Sequence, residues 1–85
     1  MKQETDHTYI LTLKVRNRPG VLVRCAQVFG RRGHNIEALH VTADTRDNDV
    51  STMQITAYGA QDAINQIRAQ LAKLVDVLQV TEKEV

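Results

Sequence analysis

The hydrophobic pattern of this sequence changes its period abruptly at the stretch VRNRPGVL, residues 15–22. Before it, apolar residues occupy every second position, at Tyr9, Leu11, Leu13 and Val15. After it, they recur at helical spacing, at Val21, Leu22, Cys25, Val28 and Phe29. A period of two predicts a strand with one buried face, and a period of 3.6 predicts an amphipathic helix. We therefore predict a first strand over 8–16 and a first helix over 19–32, which Gly33 closes in a left-handed conformation.

Two further strands are predicted in the middle of the chain. The segment 35–43 has apolar members at Ile36, Leu39 and Val41. The segment 50–58 is rich in β-branched residues and alternates apolar and polar positions, with Met53, Ile55 and Ala57 on its apolar side. The polar sequence DTRDND at 44–49 is typical of a hairpin loop between the two, and Gly59 is expected to end the third strand.

The last third of the chain predicts one helix and one strand. Ile64, Ile67, Leu71 and Leu74 are spaced three or four apart and indicate a helix over 61–73, and VDVLQVTE at 75–82 predicts the fourth strand. The order strand, helix, strand, strand, helix, strand is that of the ferredoxin-like βαββαβ fold. The predicted class is therefore α+β, with a four-stranded antiparallel sheet that carries both helices on one face.

The length of 85 residues predicts a single domain, 1–85, with its core over about 8–83 and a flexible N-terminus at 1–7. A domain of this size buries only about 60 to 65% of the surface that its unfolded chain exposes. Its only aromatic residues are Tyr9, Phe29 and Tyr58, so the interior depends on aliphatic side chains. Such a core is marginal, which favours self-association.

The sequence predicts a cytoplasmic protein with no role in a membrane. Cys25 is the only cysteine and cannot form an internal disulfide, and no positively charged start precedes an apolar secretory stretch. No apolar run approaches the roughly 20 residues that a membrane-spanning helix requires.

The net charge of +1 conceals a strong asymmetry along the chain. Residues 7–36 contain no carboxylate and carry the basic side chains Lys14, Arg16, Arg18, Arg24, Arg31 and Arg32. This half is either a solvated basic face or a surface that meets an anionic partner, whether nucleic acid or an acidic protein. Charge alone does not decide between these interpretations.

Catalytic and metal-binding patterns are weak, so we predict neither an enzyme nor a metal site. Cys25 lies on the apolar stripe of the first helix, where a small buried side chain is the simpler interpretation. His7, His34 and His40 have no ligand spacing, and Cys-x-x-Cys does not occur. The acidic loop at 44–49 has Arg46 at a position where calcium would need an oxygen ligand.

RNA-binding modules share this fold and stack bases on solvent-facing aromatic residues of the two central strands. Here those strands contain Tyr9 and Tyr58 but no aromatic cluster and no Arg-Gly-Phe signature. Nucleic acid is therefore not the expected partner, and an RNA-binding module stays an alternative.

The stretch VRNRPGVL also has the features of a small binding site. Pro19 suits the first position of a helix, but Gly20 in the first turn costs up to about 1 kcal/mol relative to alanine. Folding alone therefore does not explain Gly20, nor Asn17 beside it. Helix N-terminal amides attract a carboxylate, and the Asn17 amide both donates and accepts hydrogen bonds, which suits a free amino acid. Val21 and Leu22 would supply part of an apolar wall, and Gly33 with Asn35 forms a second pair of this kind.

Two long stretches, VRNRPGVLVRCAQVFGRRGHNIEALHV and IRAQLAKLVDVLQV, resemble the ACT domain of acetohydroxyacid synthase small subunits. The resemblance spans residues 9–82. Its most specific positions are Asn17, Pro19, Gly20, Val21, Leu22, Phe29, Arg31, Arg32, Gly33, Asn35, Ile36 and the KLVDV of 73–77.

The resemblance implies a non-catalytic regulatory subunit of acetohydroxyacid synthase, also called acetolactate synthase, in branched-chain amino acid biosynthesis. Members of the family pair side by side into an eight-stranded sheet and bind the feedback inhibitor valine at the dimer interface. On this chain the implied valine-binding residues are Asn17, Gly20, Val21 and Leu22 from one subunit, and Asn35 and Ile36 from the other. Members of the family activate a separate large catalytic subunit. The cofactors thiamine diphosphate and FAD belong to that large subunit, so no cofactor is expected in this chain.

Many members of this family continue into a second domain of comparable size, whereas this chain ends just after the fourth strand. It is therefore similar to the short, single-domain small subunits or to a truncated chain. A free-standing ACT module that senses another small ligand is the main alternative.

Overall fold

A computed structural model describes residues 6–85, in the element order β1 (Asp6–Arg16), α1 (Val21–Arg31), β2 (Ala38–Ala43), β3 (Val50–Ala60), α2 (Gln61–Ala72) and β4 (Val77–Glu84). The strands form one antiparallel sheet in the order β2–β3–β1–β4. The predicted βαββαβ fold is confirmed.

The core lies between one face of the sheet and both helices. Alternate residues of the two central strands are buried on that face, namely Leu11, Leu13, Val15, Met53, Ile55 and Ala57. The helices contribute Cys25, Phe29, Ile64, Ile67 and Leu71 to the same cluster. Because one contiguous cluster holds all of these side chains, both helices cover the same face of the sheet. Burial of each large apolar side chain contributes about 1.5 to 3 kcal/mol.

Helix α1 begins later than the sequence predicts, at Val21 rather than at residue 19. Gly20 is the residue before the helix and has a left-handed backbone, with φ of 85°. The interpretation that folding does not require Gly20 is therefore wrong, because a residue with a Cβ pays about 1 to 2 kcal/mol in this conformation. At the other end of the helix, Gly33 has φ of 64°, which confirms its predicted left-handed conformation.

Strand β2 is shorter than predicted and lies at the edge of the sheet. It covers Ala38–Ala43 instead of 35–43, and residues 32–37 connect it to α1. Within residues 6–85 its only sheet neighbour is β3, and all six of its residues are exposed. The apolar pattern at 35–43 thus predicted a strand correctly, but the helices do not cover that strand.

Four other elements have boundaries that differ from the predicted ones. Strand β3 continues through Gly59 to Ala60, so the expectation that Gly59 ends it is wrong. Strand β4 runs over Val77–Glu84 instead of 75–82, and α2 ends at Ala72. Strand β1 begins at Asp6, so residues 6 and 7 of the expected flexible segment belong to the sheet, while residues 1–5 lie outside the described part of the chain.

Gly59 of β3 lies close to the imidazole ring of His34. A Cβ at this position would lie 2.7 Å from both Cε1 and Nε2 of His34, a residue of the connection between α1 and β2. Such a distance is shorter than van der Waals contact allows, so the imidazole ring would have to move.

We expect Gly59→Ala to lower the free energy of unfolding by about 1 to 3 kcal/mol, the usual cost of overpacking a closely packed position. Urea denaturation measures this loss. The same substitution in a His34→Ala background should cost much less, because the ring that collides with the new methyl group is gone. An equal loss in both backgrounds would show that the collision is not the cause.

Candidate amino-acid-binding site

The loop at 17–20 between β1 and α1 is held against the hairpin loop at 44–49. The backbone N–H of Asn17 donates to the Asp49 carbonyl at 2.6 Å. Its side-chain Nδ2 donates to the Asn48 carbonyl at 3.2 Å. Asn17 therefore stabilises the loop and is also exposed on it. The sequence-based interpretation that folding does not explain Asn17 is wrong.

The hairpin loop at 44–49 is stabilised by its own aspartates. The Asp44 carboxylate accepts the backbone N–H of Arg46 at 2.7 Å, and the Asp47 carboxylate accepts that of Asp49 at 2.9 Å. These local bonds are typical of turns and confirm the predicted hairpin loop. They also make this loop a firm support for Asn17.

The first turn of α1 itself contains no Asp or Glu. Among residues 6–85, no side chain caps this turn. The Arg24 N–H bonds to the Gly20 carbonyl at 3.0 Å, and the Val21 N–H bonds to the Arg18 carbonyl at 3.3 Å. Because the helix dipole is uncompensated here, this end of α1 favours an anionic group such as a carboxylate.

Of the two predicted wall residues, only Leu22 presents its side chain to solvent. Val21 is 4% exposed and belongs to the core, so it contributes backbone rather than side chain to the loop surface. Leu22 is 44% exposed.

The cavity beside the loop is small for a complete ligand site. It measures about 150 Å³ and is lined by Arg16, Asn17, Arg18 and Asp49. Ligand pockets usually enclose about 300 to 1,000 Å³. One chain therefore presents a partial site at this end of α1.

The remaining predicted residues, Asn35 and Ile36, lie beyond the other end of α1. Since α1 has 11 residues, its two ends are about 16 Å apart. Asn35 is exposed, with its Nδ2 3.5 Å from a carboxylate oxygen of Glu37, and Ile36 packs partly buried against the core. The fold thus brings together Asn17, Gly20 and Leu22, but it does not bring Asn35 or Ile36 to them within one chain.

An apolar surface runs along the uncovered edge of the sheet. Leu39 is 42% exposed and Val41 is 49% exposed on β2, and they pair with the buried Ile55 and Met53 of β3. Both therefore lie on the face that carries the helices.

Helix α1 extends this apolar surface. Leu22 and Ala26 are four residues apart and lie on the flank of α1 opposite to Arg24. Arg24 contacts Asp76, which directly precedes β4, the strand at the edge of the sheet opposite to β2. The flank with Leu22 and Ala26 consequently faces the β2 side. We call Leu22, Ala26, Leu39 and Val41 the β2-edge surface.

A buried acidic residue, Asp76, was not predicted as a functional position. It is 6% exposed and forms ion pairs with Arg18 of the loop and Arg24 of α1. The sequence signal for it is one carboxylate inside the apolar run LVDVL. Its contact with two arginines more than fifty positions away has no local signature.

The further site candidates within residues 6–85 are the cysteine and any group of side chains that could bind a metal ion. Cys25 is fully buried, and burial raises the pKa of its thiol, which disfavours the nucleophilic thiolate. No three His, Cys, Asp or Glu side chains within residues 6–85 lie together as a metal site would require. Over the same residues, no helix has the length and apolar character needed to cross a membrane.

Tyr9 is unavailable for stacking on a nucleic-acid base. It is 1% exposed in the core, and its hydroxyl donates to Oε1 of Gln61 at 3.0 Å. Of the two strand tyrosines, only Tyr58 is on the face opposite to the helices.

Comparison with known proteins gives a family and a set of relatives. The family model of the AHAS small subunit-like ACT domain matches residues 11–79. The acetolactate synthase small subunit of Mycobacterium avium is 43% identical over 80 residues, which are 94% of this chain and 47% of that protein. The corresponding protein of Buchnera aphidicola is 44% identical over 75 residues, 88% of this chain and 46% of its own length.

Solved structures agree with these sequence relatives. The acetolactate synthase small subunit from Thermotoga maritima superposes with a TM-score of 0.78 at 35% identity, covering 88% of this chain and 46% of that one. The ACT domain of GTP pyrophosphokinase from Chlorobium tepidum gives 0.77 at 16% identity, covering 93% and 100%. At that identity the second likeness concerns the fold alone. The chain thus spans about half the length of the curated relatives that it matches.

Proposed function

This chain belongs to the family of ACT domains of acetohydroxyacid synthase small subunits, and we propose that it serves as a non-catalytic regulatory subunit of that enzyme. In this role it binds the large catalytic subunit, activates it, and makes it sensitive to valine. Thiamine diphosphate and FAD belong to the large subunit, and the complex works in the cytoplasm.

The single observation that carries the effector part of the proposal is the uncapped N-terminus of α1 beside Asn17 and Gly20. The free helix amides receive the carboxylate of the amino acid. The Asn17 side chain, which can donate and accept, lies within the same loop and supplies a partner for the ammonium group. Leu22 offers exposed apolar surface to a branched aliphatic side chain.

The two predicted halves of the valine site, at 17–22 and 35–36, lie at opposite ends of α1. This separation supports a site that two copies share. A two-fold axis beside β2 joins two sheets through their edge strands and sets the two α1 helices side by side in opposite directions. The loop at 17–22 of one copy then lies near residues 35–36 of the other. The β2-edge surface, with three side chains between 42% and 49% exposed, is the apolar area that such a dimer buries.

Valine regulates by linkage between its site and the catalytic subunit. An effector shifts an equilibrium only by as much as its affinity differs between the two arrangements of the protein. A site assembled from two copies has such a difference built in, because any change in how the copies meet changes the distance between its halves.

Reconstitution with the large subunit of the same organism tests the proposal. We expect the purified chain to raise acetolactate formation by the large subunit, and valine to lower it again. A rate that does not change on mixing would refute the activation claim. A rise that valine leaves untouched would refute the effector claim only.

The identity of the effector is tested by thermal shift with each of the twenty amino acids. Valine, leucine or isoleucine should raise the unfolding temperature most, since ligand that binds only the folded state stabilises it by mass action. A preference for an amino acid outside this group would favour the free-standing sensor described above.

A further inference from the structure

Asp76 is a buried carboxylate that contacts residues before, within and after the loop at 17–20. Only 9% of its side chain is exposed, and its two oxygens face different arginines. Oδ2 accepts a hydrogen bond from Nη1 of Arg24 at 3.1 Å, and Oδ1 lies 3.6 Å from Nη1 of Arg18. Its backbone carbonyl accepts the N–H of Arg16 at 2.8 Å.

These contacts fix the loop at 17–20 from one side, while the hairpin loop fixes it from the other. Arg16 precedes the loop, Arg18 lies within it, and Arg24 follows it on the second turn of α1. On the opposite side, Asn17 is bonded to the carbonyls of Asn48 and Asp49. The loop is therefore clamped between two parts of the chain distant in sequence from it.

The contacts of Asp76 also determine where the positive groups near an effector lie. Buried charges are stable only when they are paired, so Asp76 holds both guanidinium groups on its own side. The pairing holds Arg24 next to Asp76, and it fixes the position of the Arg18 guanidinium, which lines the small cavity beside the loop.

We infer that Asp76 is a positioning residue for the amino-acid effector: without touching the ligand, it sets the loop at 17–20 in the conformation that binds it. This inference rests on the proposed function. The contacts of Asp76 preserve the geometry of Asn17 and of the helix N-terminus, and loss of the Asp76 charge frees the Arg18 guanidinium, which lines the cavity beside the loop, to move.

Calorimetric titration with L-valine of the wild type and of Asp76→Asn tests the inference. The substitution keeps the shape of the side chain and removes its charge. We expect the affinity to fall at least about tenfold, which corresponds to about 1.4 kcal/mol. The mass of the oligomer should be unchanged.

Glu82→Gln is the matched control for this substitution. Glu82 is also a carboxylate of the β4 region, 18% exposed in its side chain, and it forms an ion pair with Arg68 of α2 at 3.6 Å. Its neutralisation removes an arginine pair far from the loop and should leave the valine affinity within about twofold. If both variants lose affinity equally, a general effect on stability or charge is responsible and the positioning role is refuted.

A double-mutant cycle with Arg18→Gln separates positioning from a purely structural role. In the Arg18→Gln background, Asp76→Asn should have a clearly smaller effect on valine affinity, since part of the clamp is already absent. Additive losses would overturn the inference, as would an Asp76→Asn protein that binds valine like the wild type.

Amide hydrogen exchange in the ligand-free protein distinguishes failure of this inference from failure of the proposed function. The Asn17 N–H should exchange faster in Asp76→Asn than in the wild type or in Glu82→Gln. If the wild type binds no branched-chain amino acid, the effector claim fails. The exchange measurement alone then tests whether Asp76 orders the loop at 17–20. Unchanged exchange at Asn17 would refute this role.

Discussion

Replacement of Val41 by lysine is expected to convert the proposed dimer into a monomer and, with it, to abolish valine binding. Val41 lies on the edge strand β2 and is 49% exposed. The proposed two-fold pairing would bring this strand against its copy. Lysine on an edge strand opposes strand pairing, and each dimer would contain two such charges. Juxtaposed like charges cost several kcal/mol, so the dissociation constant should rise by about two orders of magnitude or more.

The folded monomer should tolerate this change, because the side chain is not part of the core. We expect the monomer's free energy of unfolding to change by about 0.5 kcal/mol or less. Light scattering after size exclusion should report 9.6 kDa for the variant and twice that mass for the wild type. Calorimetry should detect no valine binding, since residues 35–36 of a second copy are missing from the site.

Val75→Lys is the control for this experiment. It makes the same chemical change at an 86% exposed valine in the turn before β4, at the opposite edge of the sheet. This variant should remain a dimer. Dimeric Val41→Lys protein, or a monomeric Val75→Lys protein, would contradict the assignment of the dimer interface to the β2-edge surface.

Gly20→Asp should abolish valine binding without unfolding the protein. The new carboxylate would lie at the N-terminus of α1, where the proposal puts the carboxylate of the effector. Two carboxylates that compete for the same amides repel each other, and we expect a loss of at least about a hundredfold in affinity. The fold should survive, since aspartate tolerates a left-handed backbone better than most residues do and stabilises a helix N-terminus.

Gly20→Asn separates charge from shape in this prediction. Asparagine has the size of aspartate and the same tolerance for the left-handed conformation of residue 20, with φ of 85°. Both variants should therefore have similar unfolding midpoints in urea, while the asparagine variant binds valine more tightly than the aspartate variant. Equal affinities in the two would show that the N-terminus of α1 does not receive the effector carboxylate.

The order of elements was predictable because burial in a two-layer domain imposes a simple period on each element. Leu11, Leu13 and Val15 predict strand β1, and the buried faces of both helices follow from spacing alone. Element ends were predicted less well. The sequence predicts a strand end at Gly59, whereas in the structure Gly59 lies within β3 because it pairs with His7 of β1.

The candidate site was predictable to the extent that it depends on residue chemistry. An asparagine and a glycine beside a helix start are suited to an amino acid wherever they lie in the fold. The structural reason for Gly20 could not be predicted in this way, because its left-handed φ is a property of the connection between β1 and α1. Val21 was assigned to a ligand wall, although helix packing directs its side chain into the core.

The sequence by itself determined the strands, the helices and their buried faces, because those depend on hydrophobic period over a few neighbouring residues. It also determined which residue types could meet a carboxylate and an ammonium group. Only the tertiary structure decided that Asp76 pairs with Arg18 and Arg24, and that β2 is an uncovered edge. These facts depend on distances between segments far apart in the chain, and such distances are set by how the elements pack.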